Sequence, residues 1–228
     1  MPSRFLASGD MVCPPDLLAL AASSAPKPFG FVRAIGAASL ETARAAAAAK
    51  LAVPILIGEP DIIARDAAAI GWDLAGVEIV PAVGEAGAID AAIQLFGQSR
   101  VAGLAKGQLH TDIFMGGIVK RAAGIRIGKR LVHLFAMLPP AGGRPLLISD
   151  AAVNVAPGIE TRVEAALHMA DLSRRLGQPR PRIAILSATE SVLPAMPSSG
   201  EAAEIASRAS TADPAADFAG PLSFDLAV

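Results

Sequence analysis

Residues 29–58 read FGFVRAIGAASLETARAAAAAKLAVPILIG. They set two periodicities side by side, and that juxtaposition decides the fold class. FGFVRAIG, from Phe29, is a short apolar stretch of strand length. SLETARAAAAAKLA follows with Ser39 as a candidate N-cap, Glu41 and Thr42 behind it, and an end at Lys50. Val53–Gly58, VPILIG, is then a β-branched run closed by glycine, the pattern of a strand buried on both faces. Strand, helix, strand within thirty residues predicts a parallel βαβ unit.

The same rhythm continues outward. A helix is predicted after Pro60 through DIIARDAAAI, then a strand over Val77–Val83, then a helix EAGAIDAAIQLFG closed by Gly97. Val101–Gly107 is the next strand, with Thr111 or Asp112 placed to cap the helix after it. Arg130–Pro139 and Pro145–Ala152 read as strands flanking Gly142-Gly143. Ile159–Leu176 is a long helix with Val163, Ala166, Leu167 and Ala170 on one face, Pro181–Thr189 a strand, and GEAAEIASRAS a short amphipathic helix. The expected class is α/β, with mostly parallel sheets covered on both faces. The AGGRP turn near residue 141 is the best candidate boundary. It divides the chain into an N-terminal arm (1–28), a first α/β domain (29–140) and a second (141–228).

Composition narrows the function. The 228 residues are 53% hydrophobic, 4% aromatic and 18% charged, and twenty Lys and Arg face twenty-one Asp and Glu. The formal charge of −1 argues against a nucleic-acid binder held by a basic stripe. Mean hydropathy is +0.48, yet the most apolar run, Ala45–Gly58, is cut by Lys50 and Pro54, so no membrane span is expected. One cysteine, Cys13, cannot close an internal disulfide and fits a small hydrophobe better than a nucleophile. The first residues lack an apolar h-region before Asp10, which leaves a cytoplasmic protein as the expectation.

In open α/β sheets ligands bind beyond the carboxyl ends of the strands, so residues directly after predicted strands are the informative ones. Lys106–Asp112, KGQLHTD, offers a cation, an imidazole, a hydroxyl and a carboxylate at a predicted helix start, where free N–H groups favour anions. SDAAVN (Ser149–Asn154) and SATES (Ser187–Ser191) follow two further strands, and GPLSFD (Gly220–Asp225) carries a late carboxylate. Each has a structural alternative: Lys106 as a solvated charge, His110 as a capping histidine, Asp112 as a helix cap, and Asp150, Asn154, Ser187 and Glu190 as turn formers. Lys120, Arg121, Arg126, Lys129 and Arg130 form a basic cluster, either a solvated face or a polyphosphate patch. GxGxxG, GxSxG and HExxH are absent, and His110, His133 and His168 lack metal-ligand spacing. From the residues alone, the chain is an α/β protein suited to a small anionic metabolite.

Four segments carry a resemblance. AGLAKGQLHTDIFM (Ala102–Met115), LLISDAAVNVAP (Leu146–Pro157), IAILSATESVLPAMPSS (Ile183–Ser199) and GPLSFDLAV (Gly220–Val228) resemble the phosphate acetyl/butyryltransferases. The similarity is greatest to the butyryltransferase branch and to the acyltransferase part of bifunctional enoyl-CoA hydratase/phosphate acetyltransferases. The match runs from about Phe29 to Val228 with the four motifs in the family's order. It implies two α/β/α domains with a cleft between them, similar to the isocitrate/isopropylmalate dehydrogenase architecture, and a homodimer. It also implies acyl transfer between coenzyme A and inorganic phosphate, with acyl-CoA and phosphate as partners, coenzyme A as substrate, no resident cofactor and no metal.

Carried over residue by residue, the resemblance places Lys106, His110 and Thr111 on the acyl-phosphate or coenzyme A side. Ser149, Asp150 and Asn154 would stand on the facing wall, and Ser187, Glu190 and Asp225 would follow their strands into the same cleft. Two positions depart from the family pattern: Val132 stands where many relatives have serine before His133, and Met115 where acetyl-specific relatives have arginine. Family members also continue for several dozen residues with a late Ser-Arg motif and the general base. The resemblance therefore puts the principal catalytic residues beyond Val228 and sets a truncated or naturally shortened form, with activity lost, beside the expected acyltransferase. A non-catalytic coenzyme A- or acyl-binding paralogue is the alternative, and a pyridine-nucleotide enzyme on a similar fold is disfavoured by the missing glycine fingerprint.

Overall fold

A computed structural model of the chain describes residues 13–120, 124–125, 131–139, 143–150 and 152–228. After a short exposed helix α1 (Pro15–Ala22) the chain divides into two compact units. One spans residues 19–127, and the other holds residues 128–228 with the stretch ending at Leu18.

The first unit is the βαβ pattern repeated. β1 (Lys27–Val32), α2 (Ala37–Ala48), β2 (Ala52–Gly58), α3 (Pro60–Ala69), β3 (Glu78–Pro81), α4 (Gly84–Gly97), β4 (Gly103–Lys106) and α5 (Thr111–Val119) follow in order. The strands form one parallel sheet in the order β3-β2-β1-β4. Strand alternation sends neighbouring side chains to opposite faces. Phe31 and Leu56 pack with Leu40 and Ala43 of α2 and Ile63 and Ala67 of α3. Val32, Ile55 and Ile57 pack with Ala88, Ile89, Ala92 and Leu95 of α4. Burial on both faces is why VPILIG reads as a continuous apolar run rather than an alternating one.

The second unit is built from β5 (Phe135–Met137), β6 (Leu146–Ile148), α6 (Ile159–Arg175), β7 (Arg182–Leu186), α7 (Pro197–Ala212), β8 (Asp217–Leu222) and α8 (Phe224–Ala227). β5 pairs antiparallel with β6, and β7 parallel with β8. Val163 and Ala166 of α6 meet Ile185 of β7 and Ala202, Ile205, Ala206 and Ala209 of α7. Alanine at these positions lets the two helices approach closely, and Arg162–Glu201 at 2.8 Å and Arg174–Asp213 at 2.7 Å tie them at the surface. β6 and β7 are not paired with each other. They line one cavity of about 490 Å³ along Leu146–Asp150 and Ile183–Leu186, roofed by Ala166 and Met169 of α6.

Several element ends differ from the sequence expectation, each for a local reason. β1 stops at Val32 because Arg33 turns to φ +52. α2 is preceded by Gly36 at φ +77, whose N–H donates to Asp66 at 2.8 Å, so Ser39 lies inside the helix and is not its cap. α4 runs through Gly97, and Ser99 takes the left-handed turn instead (φ +56). Neither Thr111 nor Asp112 caps α5; His110 occupies the cap position. Of the described part of the run Arg130–Pro139, residues 131–139, only the three residues of β5 are strand. Gly142, the presumed boundary at residue 141, and Arg121, Arg126, Lys129 and Arg130 of the basic cluster lie outside the described residues.

Candidate functional site

The order β3-β2-β1-β4 has its switch point between β1 and β4, where chain connections run off in opposite directions and a crevice opens beyond the strand ends. Gly107 sits there. Its N–H donates to Val32 O at 2.9 Å and Gln108 N–H donates to Arg33 O at 3.0 Å. A Cβ on residue 107 would fall 2.5 Å from Arg33 O and 2.7 Å from Val32 O, so only glycine lets the two strand tips come this close.

Charged side chains from all four strand ends gather on that crest. Arg33, after β1, reaches Glu59 after β2 at 3.4 Å and Glu85 after β3 at 3.5 Å, and donates to Gln108 O at 3.1 Å. Glu59 also accepts the Gly84 N–H at 3.0 Å. Burial pushes the Glu59 carboxyl up, but the Gly84 N–H and the Arg33 guanidinium outweigh it and hold it below the ordinary range. Glu85 clasps His110 twice, accepting the backbone N–H at 3.0 Å and lying 2.9 Å from ring Nδ1. The backbone N–H and then the ring of His110 depress the Glu85 carboxyl, and in return the hydrogen bond to Glu85 raises the imidazole. Lys106 ends β4 and donates to Leu109 O at 2.8 Å, leaving two of its three N–H donors uncommitted to that carbonyl. Arg33 Nε and Glu59 Oε2 are buried without a partner among the described residues.

In the second unit the loop after β6 is organised around Asp150. Its carboxylate accepts N–H groups from Val153 at 3.2 Å and from His133 and Ala152 at 3.3 Å, and bonds the Asn154 amide. Burial would raise this carboxyl; the Asn154 amide and the three N–H groups prevail and lower it. Asn154 also donates to Leu131 O at 3.0 Å. His133 stacks edge-on against Phe135, with centroids 4.5 Å apart. Ser149 Oγ is buried without a partner among the described residues, next to the cavity wall.

The nine residues singled out from sequence thus fall in two groups. Lys106, His110 and Thr111 lie at the end of β4 and the start of α5 in the first unit. The other six lie in the second. Of these, Asp150 and Asn154 are directly bonded and Ser149 adjoins them. Ser187 follows β7, where its N–H donates to Leu222 O at 2.8 Å and its hydroxyl reaches Met196 Sδ at 3.7 Å. Glu190 and Asp225 are exposed, Asp225 on the short helix α8. Arg33, Glu59 and Glu85 are absent from that set: Glu59 and Glu85 come just after predicted strands, where the strand-end rule applied to KGQLHTD would find them, whereas Arg33 falls inside the predicted stretch FGFVRAIG, which the structure ends at Val32. Among the described residues no three His, Cys, Asp or Glu side chains converge as a metal site, and no helix is long and apolar enough to cross a membrane.

Residues 88–228 match the family model for phosphate acetyl/butaryl transferase. A phosphate acetyltransferase from Rhizobium meliloti is 35% identical over 213 residues, 93% of this chain and 67% of that protein. A phosphate butyryltransferase from Clostridium acetobutylicum is 28% identical over 192 residues, 83% of this chain and 63% of that protein. Among solved structures, a branched-chain phosphotransacylase from Enterococcus faecalis V583 superimposes with a TM-score of 0.71 at 25% identity, covering 88% of this chain and 70% of that one. The chain spans about two-thirds of the length of these curated relatives.

Proposed function

Because the chain belongs to the phosphate acetyl/butaryl transferase family, we propose that it transfers an acyl group between coenzyme A and inorganic phosphate. A phosphate oxygen would attack the thioester carbonyl, the carbon–sulfur bond would break, and coenzyme A would leave as a thiolate that takes up a proton. The reverse direction consumes acyl phosphate. Coenzyme A is a substrate in this scheme and no resident cofactor is called for. A cytoplasmic homodimer belongs to the same proposal, on the strength of the family resemblance alone.

The observation that carries the proposal is the placement of side chains directly after strand ends, where α/β folds bind ligands. Acyl transfer to phosphate requires cations for the phosphate oxygens and donors for the carbonyl oxygen as charge develops on it. Lys106, with donors to spare beside Leu109 O, supplies positive charge at the start of α5, and the hydrogen bond to Glu85 favours the charged form of His110 beside it. Thr111 adds a hydroxyl at the first position of that helix, where backbone N–H groups point outward. In the second unit the Ser149 hydroxyl has no partner among the described residues, while Asp150 and Asn154 spend their groups on each other and on the backbone. We therefore assign Ser149 to substrate contact and Asp150 and Asn154 to holding its loop. Ser187, Glu190 and Asp225 complete the proposed substrate-binding set.

The test is phosphate-dependent release of coenzyme A from acetyl-CoA and butyryl-CoA, run side by side with calorimetric titration of coenzyme A. Saturable binding together with thiol release is expected. Neither turnover nor binding at millimolar coenzyme A would overturn the proposal for this chain.

A further inference from the structure

The pair Glu85–His110 has a chemistry that its geometry fixes. A carboxylate can only accept hydrogen bonds, so the ring nitrogen 2.9 Å from both Glu85 oxygens must carry the proton. His110 is thereby locked as the Nδ1–H form. Any second proton goes to Nε2, on the far side of a ring whose side chain is 76% exposed. Glu85 is itself held from behind by Arg33 at 3.5 Å and grips the His110 backbone at 3.0 Å, so the ring is fixed at both ends of its residue.

We propose that Glu85 is a positioning residue that holds Nδ1–H of the His110 ring toward itself, so that Nε2, which carries a proton in the imidazolium, faces an anionic oxygen of the phosphate-bearing substrate. The proposal rests on the acyl-transfer function above. It gives Glu85 and Arg33 a role through His110 and not by contact with substrate. The groups facing His110 are Glu85 from α4, Asp112 from its own helix and Lys106 from the end of β4, with Arg33 and Glu59 behind Glu85. The hydrogen bond and charge of Glu85 favour the imidazolium, Asp112 adds to this, and burial and Lys106 oppose it. The positive charge is present at low pH and lost as pH rises through the folded-state pKa, which lies above the usual histidine value.

The experiment follows the ring nitrogens by ¹⁵N NMR and, on the same protein, coenzyme A affinity from pH 5.5 to 9. His110→Gln identifies the His110 signals among the three histidines. Wild type is expected to show a protonated Nδ1 and a raised titration, with affinity falling roughly tenfold across that titration, the size of one charge-assisted hydrogen bond. Glu85→Gln keeps an acceptor for the backbone N–H but removes the charge. It should lower the His110 titration and move the affinity step to lower pH by the same amount; Glu85→Asp should restore part of the shift. Coenzyme A binding with a His110 titration unmoved in Glu85→Gln overturns the positioning role and leaves the acyl-transfer function standing. A His110 titration that shifts as expected, with no coenzyme A bound at any pH, overturns both the donor role and the acyl-transfer function. Circular dichroism of each variant separates these outcomes from unfolding.

Discussion

Gly107 joins the tips of β1 and β4, and a Cβ there would meet the Arg33 and Val32 carbonyls, which cannot swing aside, as well as the Ser39 hydroxyl. Gly107→Ala should therefore destabilise the fold by about 1–3 kcal/mol, the usual cost of forcing extra atoms into a packed site. Urea unfolding measures it, and a change under 0.5 kcal/mol would mean the strand tips can part freely. Asp150 makes a second prediction. Its carboxyl is depressed in the folded state, so its contribution is present above the unfolded pKa and lost as pH falls through the folded one. Asp150→Asn should flatten the acid limb of the stability–pH curve below about pH 5 while lowering stability at neutral pH. Lys106, His110 and Thr111 were legible in sequence because one local signal, strand then polar loop then helix, contains them all. Arg33, Glu59 and Glu85 were harder. Each sits at a strand end, but that they meet depends on which strands are neighbours, and no window of thirty residues encodes the order β3-β2-β1-β4.

Among the elements, the helix ends show how local rules can be met by unexpected residues. α2, α3, α4 and α6 all close with the same paired bonds, such as Leu51 N–H to Ala46 O and Arg100 N–H to Leu95 O. After α3 and α6 the left-handed residue is glycine, Gly71 and Gly177; after α2 and α4 it is Lys50 and Ser99. A side chain in that conformation costs roughly 1 kcal/mol. Ser99→Gly should accordingly raise stability by about 0.5–1 kcal/mol, offset in part by greater freedom of the unfolded chain. A calorimetric melting temperature unchanged or lower would refute it. The helices and buried parallel strands of the first unit were readable because their periodicities are strong. β5 was not: the apolar run around it looks like a ten-residue strand, yet Leu131 O and the His133 N–H bond the Asp150–Asn154 loop and not a neighbouring strand.

The two units differ in how their strands are held. β1 and β2 have partners on both sides, whereas β6 and β7 each pair on one side and turn the other toward the cavity of about 490 Å³. Amide exchange should follow this contrast. Gly30–Val32 and Ile55–Ile57 are expected to be the slowest, and Leu146–Ile148 faster by at least a hundredfold, since opening free energies fall where few buried contacts hold the backbone. Equal protection in β2 and β6, read by mass spectrometry, would contradict that picture. An α/β protein with parallel sheets was legible from the alternation of periods alone. The open lane between β6 and β7 was not, because each strand looks locally complete and only their separation in space shows it.

The sheet of the first unit also has a consequence in time. All four of its strands lie in one uninterrupted stretch, residues 19–127. The ribosome emits chain at about 5–20 residues per second, so this stretch leaves the exit tunnel seconds before the last strand of the second unit has been made. The crest bearing Arg33, Glu85 and His110 can thus assemble on a nascent chain, and arrested chains should already protect β1 and β2 from protease while β7 and β8 are still unsynthesised.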